Sequence, residues 1–158
     1  MAHRGGYESE EKAMSIGTIC SRVVVTVPKT DSVLSAARLM EQHDVGTVVI
    51  LERDGPDRAL GILTDRDIVL RCVAHQLNPE TTPAREIMTT PAQSVDESTP
   101  LEEALGLMVS LGARRLVVTA KGQGVVGILS LDDLLDQLAL EAREVGRLLE
   151  QQRPHIHA

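Results

Sequence analysis

Gly61-Ile-Leu-Thr64-Asp-Arg-Asp67 is matched further along the chain by Gly127-Ile-Leu-Ser130-Leu-Asp-Asp133. Each stretch reads as the end of an apolar strand, then a Ser or Thr that caps the next helix, then an acid within its first turn. A hydroxyl, free backbone N–H groups and a carboxylate are thereby gathered around one helix mouth. Such a mouth suits a ribose phosphate: the N–H groups and helix dipole attract phosphate, and the carboxylate accepts hydrogen bonds from sugar hydroxyls. One copy alone reads sooner as a plain capping sequence. Two copies in register shift the balance toward a site.

The register extends well beyond these stretches. Ile87 stands 68 positions after Ile19, and Val95 stands 68 after Val27. The same shift pairs Ala104 with Ala36, Leu107 with Leu39, Met108 with Met40 and Val117 with Val49. Past the next turn the shift is 66, which sets Gly127 on Gly61, Ile128 on Ile62 and Asp133 on Asp67. A turn shorter by two residues accounts for the change, because hairpin turns tolerate length variation. Identities that keep one register across several elements mark an internal duplication.

Each copy predicts the order strand, helix, strand, strand, helix. Val23–Val27 is a β-branched strand ended by Pro28. Asp31 or Ser32 caps a helix with Val33, Ala36, Ala37 and Met40 on one stripe. Val45-Gly-Thr leads into the buried run Val48–Leu51, and a polar turn at 52–57 returns the chain through Ala59–Leu63. The helix opened by Thr64 runs to about His75. The last helix runs from Ser130 to about Gln152, far longer than its counterpart. Its Leu131, Leu135, Leu138, Ala142, Val145 and Leu149 form a heptad seam that one domain covers only in part. A second copy of the chain is the simplest cover, and a frayed solvated tail is the alternative. By these signals the chain divides into a flexible arm (1–13), a first repeat (14–77), a linker (78–84), a second repeat (85–140) and a C-terminal helical extension and tail (141–158).

Composition narrows the function classes. The chain has 158 residues, a formal charge of −7 and Tyr7 as its one aromatic residue. The core must be aliphatic, and stacking of bases on aromatic rings is not available. The acidity argues against non-specific nucleic-acid or anionic-membrane binding. No apolar run reaches membrane-spanning length and the polar N-terminus does not read as a signal peptide, so a cytoplasmic location is expected. Cys20 and Cys72 lack metal or redox spacing and read as buried thiols. His155 and His157 are close, but two ligands on a tail do not make a metal site. There is no P-loop, no GxGxxG and no HExxH.

These residues resemble the cystathionine-β-synthase (CBS) domain family. The resemblance rests on Val25-Thr-Val-Pro28, the Ala-Ala-x-Leu-Met run at 36–40, Val45-Gly-Thr-Val-Val-Ile50 and the Gly61 stretch. Ile87-Met-Thr89, Ala113-Arg-Arg-Leu-Val-Val118 and the Gly127 stretch carry it in the second copy. It covers about Ile16 to Leu140. It implies an α+β fold of two tandem βαββα repeats packed about a pseudo-twofold axis, with two clefts between them. It further implies an adenosine ligand (AMP, ADP, ATP, NAD or S-adenosylmethionine) in those clefts. Carried over residue by residue, one cleft takes Ser130, Asp132 and Asp133 for sugar and phosphate. Its purine side is Thr18, Val23, Val45, Gly46, Thr47 and Ile128, with Arg114 and Arg115 for phosphates. The other takes Thr64 and Asp67, with Ile62 and Pro91 beside adenine and Arg66 as its nearest cation. Because Gly46-Thr47 stands where the second copy has Arg114-Arg115, the Asp133 cleft is expected to bind phosphate better and the Asp67 cleft to be weak or to borrow arginines.

The expected function is therefore a non-catalytic regulatory module. It binds an adenine nucleotide, assembles as a homodimer and signals to an unidentified partner protein. A ligand-independent oligomerisation module is the alternative. Membrane and nucleic-acid partners are not expected.

Overall fold

The computed structural model describes residues 14–52 and 59–151. The N-terminal arm, most of the 52–57 turn, and His155 and His157 lie outside the described residues.

The chain forms a mixed helix and sheet fold with two three-stranded sheets. In the first repeat, β1 (Thr26–Pro28) pairs parallel with β2 (Thr47–Leu51), and β2 pairs antiparallel with β3 (Ala59–Thr64). Helix α1 (Val33–His43) makes the parallel crossover, and α2 (Asp65–Asp67) continues as a π-helix over Ile68–Val73. After the short α3 (Ala84–Ile87), the second repeat repeats the plan. β4 (Ser94–Asp96), α4 (Leu101–Leu111), β5 (Arg115–Ala120) and β6 (Gly124–Ser130) lead into α5 (Leu131–Gln151).

Local chemistry explains the boundaries. Ser32 is the cap of α1, accepting a hydrogen bond from the Ser35 N–H at 3.1 Å. Of the expected α1 stripe, Val33, Ala36 and Met40 are buried. Helices α1 and α4 both end on a left-handed residue, Asp44 and Gly112, which carries the backbone back toward the sheet. The expected strand at Val23–Val27 is shorter than its composition suggests. Pairing covers Thr26–Pro28 only, because Val23 has left the sheet for the groove between the repeats. Pro28 ends the chain's descent without being excluded from the strand, which is an edge.

The aliphatic core is split in two, and the split does not follow the chain. Ile87 and Ala84 are buried in the first core with Val27, Val33, Ile50 and Leu63. Ile16 and Cys20 are buried in the second with Val95, Met108, Leu116 and Leu129. Each repeat thus sends its leading segment into the other. Ser21 exchanges backbone hydrogen bonds with Ile128 at 2.9 Å, and Thr89 exchanges them with Ile62 at 2.8 and 3.0 Å. The 78–84 linker is held as well: the N–H of Leu34 donates to Pro79 O, and that of Val33 to Thr82 O.

This crossing gives the doubled glycine its physical reason. A Cβ at Gly61 would lie 2.5 Å from Thr89 O, and one at Gly127 would lie 2.9 Å from Ser21 O and 2.8 Å from Cys20 Sγ. Only glycine leaves space for the segment arriving from the other repeat. Two matching exchanges set the repeats about a pseudo-twofold axis. The two mouths therefore open between repeats.

Candidate functional site

Thr64 and Asp67 form a reciprocal cap at the end of β3. The Thr64 N–H and hydroxyl donate to Asp67 Oδ2 at 3.0 and 2.8 Å, and the Asp67 N–H donates to Thr64 Oγ1 at 3.1 Å. Ser130 and Asp133 repeat the arrangement at 2.7, 2.7 and 3.2 Å. In both, Oδ2 of the carboxylate is consumed by the cap, and the residue lines a cavity.

The Asp67 cavity, about 210 Å³, is walled by Ile62 and Thr64 on one side and by Thr89, Pro91, Gln93 and Gly112–Arg115 on the other. The Asp133 cavity, about 200 Å³, is walled by Ile128, Ser130 and Asp132 opposite Ser21, Val23 and Val45–Thr47, with Arg115 reaching in. Each carboxylate therefore faces residues of the opposite repeat.

Most residues named from the sequence gather in these two cavities, and three are placed differently. Arg114 lines the Asp67 cavity and not the Asp133 cavity, and Arg115 lines both. The basic pair thus sits across from the carboxylate of the first repeat, and of the two expectations for that cleft, weakness or borrowed arginines, it is the borrowed arginines that line it. The cause is the crossing. The N–H of Leu131 ties Arg114 O to its own repeat at 2.9 Å, while the side chain leaves toward the other. Arg66 points away, into an exposed groove with Asp65, Val69 and Leu70. It neighbours Asp67 on a helix, and consecutive helical side chains diverge by about 100°. Thr18 turns its hydroxyl back to Ser15 O at 2.8 Å within a short 3-10 turn, and Ser21 stands in the cavity instead.

Sequence reasoning missed Ser21, Thr89, Gln93, Gly112 and Ala113. The 68-residue shift relates Thr89 to Ser21, and carrying that register through the clefts would have found both. It also missed Arg71. From the π-helix, Arg71 donates to Ile87 O at 2.9 Å and Thr89 Oγ1 at 3.1 Å, with Nη2 3.4 Å from Asp67 Oδ1. Its i, i+4 spacing from Asp67 was the available signal.

Thr47 occupies the place in the first repeat that Arg115 occupies in the second. It is 6% exposed, and its Oγ1 is the buried side-chain oxygen left without a hydrogen-bond partner among the described residues. A buried hydroxyl in that state is costly unless something polar reaches it. Cys20, in the second core beside Gly127, has its thiol pKa pushed up by burial, with Arg22 opposing, so it stays protonated at neutral pH. Among the described residues no three His, Cys, Asp or Glu side chains are grouped to hold a metal, and no helix is long and apolar enough to cross a membrane.

Two crossed βαββα repeats with carboxylate-lined cavities between them define a tandem CBS pair. The chain belongs to the CBS-domain family, which matches residues 16–73 and 84–140. It is 37% identical over 120 residues to the CBS domain-containing protein YhcV of Bacillus subtilis, covering 75% of this chain and 82% of that one. It is 36% identical over 125 residues to an uncharacterized protein of Methanopyrus kandleri, covering 78% of this chain but only 62% of that longer one. Among solved structures it is similar to a CBS domain protein of Pyrobaculum aerophilum complexed with AMP. That likeness has a TM-score of 0.69 and 29% identity, over 80% of this chain and 99% of the other.

Proposed function

We propose that the protein is a non-catalytic regulatory module that binds an adenosine ligand between its repeats and passes the change in their relative angle to a partner protein. The candidate ligands are AMP, ADP, ATP, NAD and S-adenosylmethionine. The observation that carries this reading is the pairing of each capped carboxylate with the opposite repeat across a cavity. The carboxylate oxygen outside the cap accepts from ribose hydroxyls, and Val23, Val45 and Ile128 offer an apolar edge to the purine. Arg115 meets phosphate with paired hydrogen bonds. The AMP complex of the Pyrobaculum relative supports the ligand class. A ligand touching both repeats favours the angle at which both contacts are made, with coupling of about 1–3 kcal/mol.

Millimolar AMP, ATP, NAD and S-adenosylmethionine, tested in turn by thermal unfolding, identify the ligand. At a hundredfold excess over Kd the stabilisation is about 2.7 kcal/mol, which corresponds to a rise of roughly 5–10 °C for a chain of this size. The double variant Asp67→Ala, Asp133→Ala is expected to lose that rise.

A second reading, a ligand-independent assembly module, is favoured by α5. Leu135, Val145 and Leu149 of its heptad seam are 53%, 57% and 61% exposed, and the single buried residue of the helix is Leu134. The first repeat likewise exposes Val69, Leu70 and Val73. We read both faces as the surface on which a second copy docks. A chain that assembles in solution yet shows no shift with any of these ligands favours the second reading over the first.

A further inference from the structure

The pseudo-twofold axis relates the shapes of the two cavities but not their charges. The Asp67 cavity is lined by two guanidiniums and one carboxylate, and the Asp133 cavity by one guanidinium and two carboxylates. A third carboxylate flanks the latter, since Asp65 Oδ2 lies 3.2 Å from where a Cβ on Gly46 would be.

The carboxylates themselves differ in the same sense. Asp67 is paired at Oδ1 with Arg71, whose other nitrogen holds Ile87 O and the cavity-lining Thr89. The position matching Arg71 in the second repeat is Gln137, which donates to Glu141 at 3.4 Å and leaves Asp133. Asp133 has no ion-pair partner among the described residues. Its oxygen is free for a sugar diol, and its charge is uncompensated against a phosphate. Arg115 belongs to both cavities, so a phosphate that engages it from the Asp67 side leaves the Asp133 side with carboxylates alone.

From these juxtapositions we infer that the two cavities sort adenosine ligands by charge. The Asp67 cavity takes the nucleoside phosphate, the Asp133 cavity takes an adenosine ligand without phosphate, and Arg71, by pairing with Asp67, adds to the difference that Arg114 and Asp132 set. This rests on the adenosine reading above. It assigns to Arg71 a positioning role: neutralising Asp67 lets a phosphate approach a cavity that contains an acid, and the same guanidinium fixes the Thr89 wall.

One glycine in each cavity makes the test site-resolved. The amide signals of Gly112 and Gly46 report the Asp67 and Asp133 cavities separately, and the full chain is titrated with AMP and, in parallel, with adenosine. AMP is expected to move Gly112 at concentrations about tenfold lower than Gly46, and adenosine to move Gly46 first. Arg71→Gln is expected to weaken AMP at Gly112 by about three- to tenfold while leaving adenosine within about twofold, and Arg71→Lys to retain most of the AMP affinity. Should Arg71→Gln fail to fold, added salt gives the same information in the wild-type chain: it weakens AMP at Gly112 more than at Gly46. Equal AMP midpoints at the two glycines overturn the sorting, as does an AMP-to-adenosine preference that Arg71→Gln leaves unchanged. If neither AMP nor adenosine moves either signal, the adenosine reading itself fails, which is a different result.

Discussion

Replacing Ile16 with alanine is expected to destabilise the chain by about 2–5 kcal/mol, lowering the melting temperature by roughly 5–20 °C. Ile16 is fully buried among Val95, Met108 and Leu129, residues of the other repeat. The segment is held in register by the Ile16 N–H to Thr99 O and the Gly17 N–H to Glu97 O, both at 2.9 Å. Removing three methyl-sized groups from a site whose walls belong to another sheet leaves a cavity that cannot close without breaking that register. Were this segment a tail merely resting on the surface, the change would stay within about 0.5 kcal/mol. Urea or thermal unfolding of the variant decides between them. Because Ser21 follows on the same segment and lines the Asp133 cavity, the variant is also expected to bind its ligand more weakly there.

Arg115→Thr copies into the second repeat the residue that stands at the matching place in the first, Thr47. It is expected to weaken AMP by about ten- to a hundredfold, since a charge-assisted hydrogen bond to phosphate contributes about 1.5–3 kcal/mol. The loss falls on both cavities, because Arg115 lines both. Adenosine, which has no phosphate to meet the guanidinium, should be bound nearly as before. Calorimetric titration with the two ligands separates the outcomes. Equal losses for AMP and adenosine would mean that Arg115 holds the walls in place and does not contact phosphate.

How far the sequence was legible follows from what each signal depends on. The duplication, the strand and helix order and the capping Thr64 and Ser130 were legible because they are local patterns that recur in register. The stretch from Val45 to Thr47 was matched with the Asp133 cleft by resemblance, and the structure brings those residues together. From the sequence, Arg114 and Arg115 are assigned to the carboxylate of their own repeat; Arg115 does line that cavity, while Arg114 lines only the other. Nothing in the periodicity of residues 14–22 or 84–89 says that Ile16 is buried with Val95 or Ile87 with Leu63. Such exchanges are long-range pairings, visible only once two sheets are in place. Strand alternation does not govern the two arginines, because β5 starts at Arg115 and Arg114 precedes it. The charge difference between the cavities was hidden for a related reason. It depends on Arg114 lining only the Asp67 cavity, and on Arg71, one helical turn beyond Asp67 and outside the repeated stretch.

The long last helix shows the opposite case. Its length and seam were readable from heptad spacing, and α5 extends over Leu131–Gln151 with Leu131 packed on the second core and the seam from Leu135 onward facing solvent. Pattern sufficed there because a helix face is a local property of the chain.

The most direct measurement is a structure of the full chain determined with AMP. The account predicts nucleotide between the repeats, with its phosphate on Arg114 and Arg115 and its ribose toward Asp67. Nucleotide on an outer face of either repeat, or empty cavities at saturating AMP, would contradict it.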